Sequence, residues 1–158
     1  MATPPAGSRG RTWYLATGTL ALVLASLPYL LAWFRTPAGH AYTGLLHNID
    51  DGAVYLAWMR QAAEGRFFLE NRFSVEPQRS LLFNVWFLLL GTVSKWVPPI
   101  LVFHIGRVAG GAALLVLLER LAREALPTEG ARRIAFALAC FGAGFGWLFG
   151  GFDPARGF

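Results

Sequence analysis

The chain has little charge, a single cysteine and almost no lysine. The first two shortages each argue against a class of protein. Only 15% of its 158 residues are charged, against roughly 25% in an ordinary soluble domain. Because Cys140 is alone, neither an intramolecular disulfide framework nor a cysteine metal site can form. Lysine occurs once, so arginines carry the net charge of +5. They lie at the ends of apolar runs, as in membrane proteins, and nucleic acid is not an expected partner.

Long apolar runs take the place of charge. Hydrophobic residues make up 55% of the chain and aromatic residues 15%, which is typical of a protein whose partner is the lipid bilayer. The sequence predicts an all-α, polytopic membrane protein with about four transmembrane helices and one interfacial amphipathic helix. A disordered lead is expected at 1–12 and the membrane domain at 13–158.

Four spans are predicted in the membrane domain. The run 13–34 has no charge between Arg11 and Arg35, and at about 1.5 Å per residue it crosses a hydrocarbon core of roughly 30 Å. A cleaved signal peptide is the competing interpretation, disfavoured because the run exceeds a typical h-region. The remaining spans are 81–97, where Lys95 would snorkel, then 98–118, which contains His104 and Arg107, and finally 134–152.

The orientation of these spans stays open. If Arg9 and Arg11 face the cytoplasm, four spans place the arginines of loop 119–133 outside, against the positive-inside tendency. If 81–94 is instead a re-entrant segment, that loop returns to the cytoplasm.

The predicted external loop, 35–80, contains an amphipathic helix. Its apolar residues recur at helical spacing, which favours a helix lying in the membrane interface, and Gly65 suits its C-terminal cap. The recurring residues are Val54, Tyr55, Trp58, Met59 and Ala62.

An acidic pair, Asp50 and Asp51, begins this helix. In one interpretation the carboxylates cap the helix and complement its dipole, which stabilises a helix by about 1 kcal/mol. In the other, one carboxylate is a general base that activates an acceptor nucleophile. The two roles can coexist, one for each residue. A divalent metal bound with His47 is a further alternative, but few oxygen ligands accompany it and no metal is assigned.

A family resemblance follows from the order of several short motifs. The acidic pair is followed by Tyr55-Leu56-Ala57-Trp58-Met59-Arg60-Gln61 and by Gly65-Arg66-Phe67. Farther along lie Glu76-Pro77-Gln78, Val102-Phe103-His104-Ile105-Gly106-Arg107 and Gly144-Phe145-Gly146-Trp147-Leu148. Over roughly 13–149 the chain resembles the polytopic C-type glycosyltransferase superfamily, near the bacterial protein O-mannosyltransferases and lipid A aminoarabinose transferases.

The resemblance implies a function and a location. It implies sugar transfer from a polyprenyl-phosphate sugar, the donor substrate, to an acceptor at the outer face of a bacterial inner membrane, and no cofactor is assigned. Asp50 or Asp51 would be the catalytic base, with Asp50 preferred, and Arg107 would bind the donor phosphate. Because such enzymes usually have several hundred residues, the chain is expected to be the N-terminal part of one.

Other functions stay open at this stage. In a non-catalytic membrane subunit the acidic pair would serve only as a helix cap. In a transporter fragment, His104 and Arg107 would lie on the transport path. Both residues lie one turn apart on a helix, so they also suit a polar seam between helices. The Gly142-x-Gly144-x-Gly146 pattern follows no strand, so it indicates close helix packing and not a dinucleotide loop.

Overall fold

A computed structural model describes residues 6–46, 48–76 and 81–142. Within these ranges the regular secondary structure is helical apart from one isolated β-bridge, and turns and irregular segments connect the helices. The helices are α1 (Ala6–Arg35), α2 (Ile49–Ala63), α3 (Val85–Val93), α4 (Pro99–Ala125) and α5 (Glu129–Phe141). The predicted all-α class is therefore confirmed. The chain divides into two compact units, one made of Met1–Pro28 and Val108–Gly157, the other made of Tyr29–Arg107 and Phe158.

Helices α1 and α4 are long and apolar enough to cross a membrane by length and composition. In a soluble protein, a core helix with these properties would be mostly buried. Here 6% of the apolar window of α1 and 11% of that of α4 is buried. A signal sequence near the N-terminus would pass the same length and composition test as α1. In the described ranges, two of the four predicted spans thus have a helix of sufficient length.

Two helices begin earlier than the sequence predicted. The predicted disordered lead at 1–12 is helical from Ala6 onward. Helix α5 begins at Glu129, ahead of the predicted start at 134, because Thr128 caps it: the threonine hydroxyl accepts a hydrogen bond from the Ala131 amide at 3.3 Å. Most of the remainder of the predicted fourth span, from 143 to 152, lies outside the described residues.

Helix α3 is too short to form the second predicted span, 81–97. It has nine residues, about 14 Å of helix, against a hydrocarbon core of roughly 30 Å. Asn84 starts it, because its side-chain oxygen accepts from the Phe87 amide at 3.2 Å. At its other end the chain turns through Lys95 and Trp96 before α4 begins. This length fits the re-entrant alternative better than a full span.

Helices α2 and α3 approach each other closely at Gly91, in the Tyr29–Arg107 unit. A Cβ atom at Gly91 would collide with the Ala62 Cβ and with the Met59 carbonyl. Met59 is fully buried there, and it forms an apolar core with Leu90 and Val102. Glycine at this position therefore allows the two helix backbones to meet.

Aromatic stacking extends the same interface. The rings of Tyr55 and Phe87 stack with their centroids 4.8 Å apart, and Trp58 lies 5.5 Å from Phe87. The apolar stripe of α2 thus packs in part against α3, while its position relative to the membrane interface stays a prediction. A helical period reveals an apolar face, but it does not reveal what covers that face.

The loop after α2 is held by a buried glutamine. Gln61 is fully buried; its Nε2 donates to the Glu70 carbonyl and its Oε1 accepts from the Glu70 amide, each at 3.0 Å. Next to this pair, Leu69 and Leu82 exchange backbone hydrogen bonds of 2.8 and 3.2 Å. The loop is therefore ordered by backbone pairing as well as by apolar contacts.

In the other unit, aromatic and arginine side chains meet around the beginning of α1. The Tyr14 and Phe136 rings pack edge to face at 5.2 Å, and both residues are 3% exposed. The Arg133 guanidinium lies 5.5 Å above the Trp13 ring, and that of Arg123 lies 5.6 Å above the Tyr14 ring. The beginning of α1 thus lies beside the end of α4 and the beginning of α5.

The α2–α3 contact predicts opposite effects for one substitution at two glycines. Gly91→Ala inserts a methyl group between two helix backbones and is expected to destabilise the protein by about 1–3 kcal/mol. Gly130→Ala adds a methyl group where nothing lies within 4 Å, and a helical alanine there should stabilise by about 0.4–1 kcal/mol. Thermal unfolding of the purified chain in detergent measures both. Equal midpoints for the two variants would contradict the close approach.

Candidate functional site

The segment between α1 and α2 turns back onto α4 at Gly44. This glycine has a φ of +86°, in a region that L side chains rarely adopt, and a Cβ atom there would overlap Ile100. The Nε2 atom of His104 lies 2.9 Å from the Gly44 carbonyl. With the ring proton on Nε2, the imidazole donates to that carbonyl. The bond holds the segment that leads to the acidic pair.

Arg107 lies on α4, one turn after His104, and both contact Tyr29 of α1. The guanidinium carbon is 4.5 Å from the centre of the Tyr29 ring, and the His104 ring meets that ring edge-on at 5.0 Å. A cation–π contact of this kind stabilises by about 0.5–2 kcal/mol. The two residues thus form the polar seam between helices that the sequence offered as one alternative.

Tyr42 is a further member of this group. Its ring packs edge-on against Trp33, with centroids 6.5 Å apart. Burial raises the pKa of the Tyr42 phenol above its usual value; the nearby Tyr29 phenol adds to the rise, and the positive charge of Arg107 opposes it. The hydroxyl oxygen is enclosed and has no hydrogen-bond partner among the described residues. Such a group costs about 1–3 kcal/mol in lost hydration.

The acidic pair lies at the first turn of α2, and its two members differ. Asn48 precedes the helix in a left-handed conformation, with a φ of 50°, and its side-chain amide donates to the Asp51 carboxylate. Asp51 therefore belongs to the local structure that starts the helix. Asp50 is exposed and forms no hydrogen bond or ion pair with any residue in the described ranges. Both carboxylates complement the helix dipole, but Asp51 alone is bonded.

Asp50, Asp51 and Arg107 belong to the same compact unit. The aspartates lie at the start of α2, while Arg107 is grouped with Tyr29, Tyr42 and His104 on α4, α1 and the intervening segment. Among the described residues, no ion pair joins either aspartate to Arg107.

The metal alternative and several predicted motifs involve residues outside the described ranges. Within 6–46, 48–76 and 81–142, no group of three or more His, Cys, Asp and Glu side chains could hold a metal ion. His47, which the metal alternative requires, lies outside the described residues, as do Pro77, Gln78 and the glycine-rich motif from Gly144 to Leu148.

A polar groove lies beside the loop that follows α2. It encloses about 500 Å³ and is lined by Glu70, Asn71, Arg72, Ser74 and Glu76. Arg66 and Arg72 both pair with the Glu70 carboxylate, at 3.1 and 3.4 Å. These ion pairs are partly exposed and each contributes at most about 1 kcal/mol. None of the predicted site residues lines the groove.

Tyr42, Gly44 and Asn48 are the residues of this region that the sequence did not single out. A glycine between two apolar segments indicates a turn, so Gly44 carried a weak signal. Nothing in the sequence indicated that Tyr42 would approach a helix almost sixty residues farther along the chain, because that proximity depends on how the segment folds back.

Comparison with protein-family models, with curated proteins and with solved structures finds no match to this chain. Its function therefore has to be argued from its own residues.

The difference between the two aspartates predicts unequal effects on stability. Asp50→Asn and Asp51→Asn each remove one negative charge near the helix N-terminus. Asp51→Asn also turns the charge-assisted bond from the Asn48 amide into a weaker bond between neutral amides. Asp51→Asn should lower the thermal midpoint more, by the equivalent of about 0.5–1 kcal/mol. Parallel melting of both variants tests this, and a larger loss from Asp50→Asn would show that the bonding is assigned to the wrong residue.

Proposed function

We propose that this chain is an integral membrane protein that takes part in glycosyl transfer, as the enzyme or as its N-terminal part. The donor is a polyprenyl-phosphate sugar and the acceptor lies at the outer face of a bacterial inner membrane. Two helices of sufficient length and apolar character support the membrane assignment. The chemistry is supported by the acidic pair and by the resemblance of the motif order to the C-type glycosyltransferases.

The observation that carries this proposal is the difference in hydrogen bonding between Asp50 and Asp51. Asp51 accepts a hydrogen bond from the side chain of Asn48, the residue just before α2. Asp50, its neighbour, is exposed and has no partner among the described residues. An exposed carboxylate that contributes no local bond has the access that a general base needs.

The reaction assigns one step to Asp50. Its carboxylate accepts the proton of an acceptor hydroxyl as that oxygen attacks the anomeric carbon of the sugar. The new glycosidic bond forms on the face opposite the breaking bond between the anomeric carbon and the phosphate oxygen, so the configuration inverts. The electron pair of the broken bond leaves with the polyprenyl phosphate.

Arg107 is the proposed ligand of the donor phosphate. A guanidinium pairs with phosphate oxygens through two parallel hydrogen bonds, and Arg107 is half-buried on an apolar helix beside the Tyr29 ring. An ionisable residue in such a helix is a functional candidate by default.

The arginines at one end of the first unit support an orientation. Arg123 and Arg133 lie against Tyr14 and Trp13 near the beginning of α1, so they share one side with the Arg11 region. The positive-inside tendency then places this side in the cytoplasm. A single crossing by α1 carries the segment after Arg35, with the acidic pair, to the outer face.

The alternative from another class is a non-catalytic membrane subunit, in which both aspartates serve only α2. It is favoured by the observation that Asp51 already has such a local role. The transporter alternative is less well supported, because both residues on which it was based have contacts within the chain: His104 bonds the Gly44 carbonyl and Arg107 contacts the Tyr29 ring.

Replacing Asp50 tests the catalytic proposal. Asp50→Asn keeps the size of the side chain but removes the base, so transfer should fall by about 10²–10⁴-fold, with unchanged membrane abundance. The measurement is incorporation of radiolabelled sugar into envelope acceptors by membranes of cells that carry each variant as their only copy.

Two further variants make this test specific. Asp51→Asn should reduce transfer far less than Asp50→Asn, and only through the weaker helix start. Glu64→Gln, at the other end of α2, removes an exposed carboxylate that pairs with Arg60 at 3.5 Å and serves as the control. Wild-type transfer by the Asp50→Asn membranes would leave the non-catalytic subunit as the better proposal.

The orientation is tested by labelling introduced cysteines. In a Cys140→Ala background, Asn71→Cys should react with a membrane-impermeant maleimide added to intact cells. Glu124→Cys should react only after the cells are permeabilised. Labelling of both positions in intact cells would rule out the proposed orientation.

A further inference from the structure

We propose that the Tyr42 hydroxyl and the Arg107 guanidinium together bind one phosphate group of a membrane lipid. The inference deepens the proposed function and rests on it for the role of Arg107, and it adds Tyr42 as a second donor to the phosphate. The ligand is a phosphate ester attached to a long apolar chain.

The first observation is the enclosed phenol. Tyr42 packs its ring against Trp33, while its hydroxyl oxygen lacks a hydrogen-bond partner among the described residues. Buried hydroxyls are nearly always hydrogen-bonded, and one that is not marks a place where a ligand, an ion or water completes the structure. A phenol donates one strong bond to an anionic oxygen.

The second observation is the nature of its neighbours. Tyr42 packs against Trp33, and the Arg107 guanidinium lies over Tyr29, one turn earlier on α1. The positive charge of Arg107 opposes the rise in the pKa of the Tyr42 phenol. The Tyr29 ring holds the guanidinium from one side at 4.5 Å, which orients the group. The His104 ring bonds the Gly44 carbonyl, two residues after Tyr42, and so fixes the segment that carries the phenol.

The third observation is the depth of the group along the helices. Tyr29 lies six residues before Arg35, the last residue of α1, and Arg107 lies eight residues after Pro99, the first of α4. These intervals correspond to about 9–12 Å of helix. An arginine at this depth extends toward the headgroup level, where lipid phosphates lie, while the exposed apolar faces of α1 and α4 accommodate the attached chain.

The test uses the full chain, purified in detergent, with decaprenyl phosphate as the probe and decaprenol as its uncharged counterpart. Decaprenyl phosphate should raise the thermal midpoint in a saturable way, and decaprenol should not. Tyr42→Phe keeps the ring and removes the donor, so the apparent dissociation constant should rise about tenfold or more. Tyr14→Phe is the matched control, because it removes another enclosed hydroxyl that lacks a partner among the described residues and belongs to the other unit.

The ligand-free midpoint gives an independent check. Because the Tyr42 hydroxyl has no described partner, Tyr42→Phe should be at least as stable as the wild type without ligand. A lower midpoint would show that the hydroxyl bonds within the chain and would overturn the proposal. Equal affinity of Tyr42→Phe and wild type, equal stabilisation by decaprenol, or no stabilisation by any phosphate would overturn it as well.

Further arms identify the source of the phosphate. Phosphatidylglycerol and inorganic phosphate are titrated in the same way; binding that depends on Tyr42 supports the site and shows whether it takes a polyprenyl phosphate, a phospholipid headgroup or the free ion. Asp50→Asn should bind decaprenyl phosphate as the wild type does. Normal transfer by Asp50→Asn together with weak binding by Tyr42→Phe would remove the proposed catalysis and keep the phosphate site, whereas the reverse pair of results would remove the phosphate site alone.

Discussion

The hydrogen bond between the His104 ring and the Gly44 carbonyl is the contact on which the candidate residues depend. It joins α4 to the short segment between α1 and α2, over a sequence separation of sixty residues. Gly44 permits it, since its φ of +86° turns the chain back, and any side chain there would meet Ile100. The segment fixed in this way carries Tyr42 on one side of the turn and leads to α2 on the other.

Helix α2 is held from a second direction by α3. The absence of a side chain at Gly91 lets the two backbones meet, and the buried Met59 fills the space beside them. The second half of α2, around Met59 and Ala62, is therefore held by protein contacts. A base on a helix fixed by protein contacts is placed more accurately than one on a helix that floats at a lipid surface.

Much of the fold could be predicted because the bilayer imposes simple rules on sequence. The uncharged run that ends at Arg35 and the amphipathic stripe of α2 correspond to helices, since length and period are local properties. The packing of that stripe against α3 could not be predicted, because it depends on which elements meet in the fold. The short length of α3 was not predicted either. The roles within the acidic pair depend on one backbone angle, the φ of 50° at Asn48, and no pattern of residue types predicts that angle.

The carboxylates of the second unit differ in their local partners. Glu64 and Glu70 lie among arginines and pair with them at the surface, where each pair contributes little to stability but neutralises the loop. The Asp51 carboxylate accepts a hydrogen bond from the Asn48 side chain at the start of α2. Asp50 takes part in neither arrangement, although it is adjacent to a residue that does. A carboxylate that the local structure does not need is available for chemistry, and for this reason Asp50 is a better candidate than Asp51 for the proposed base.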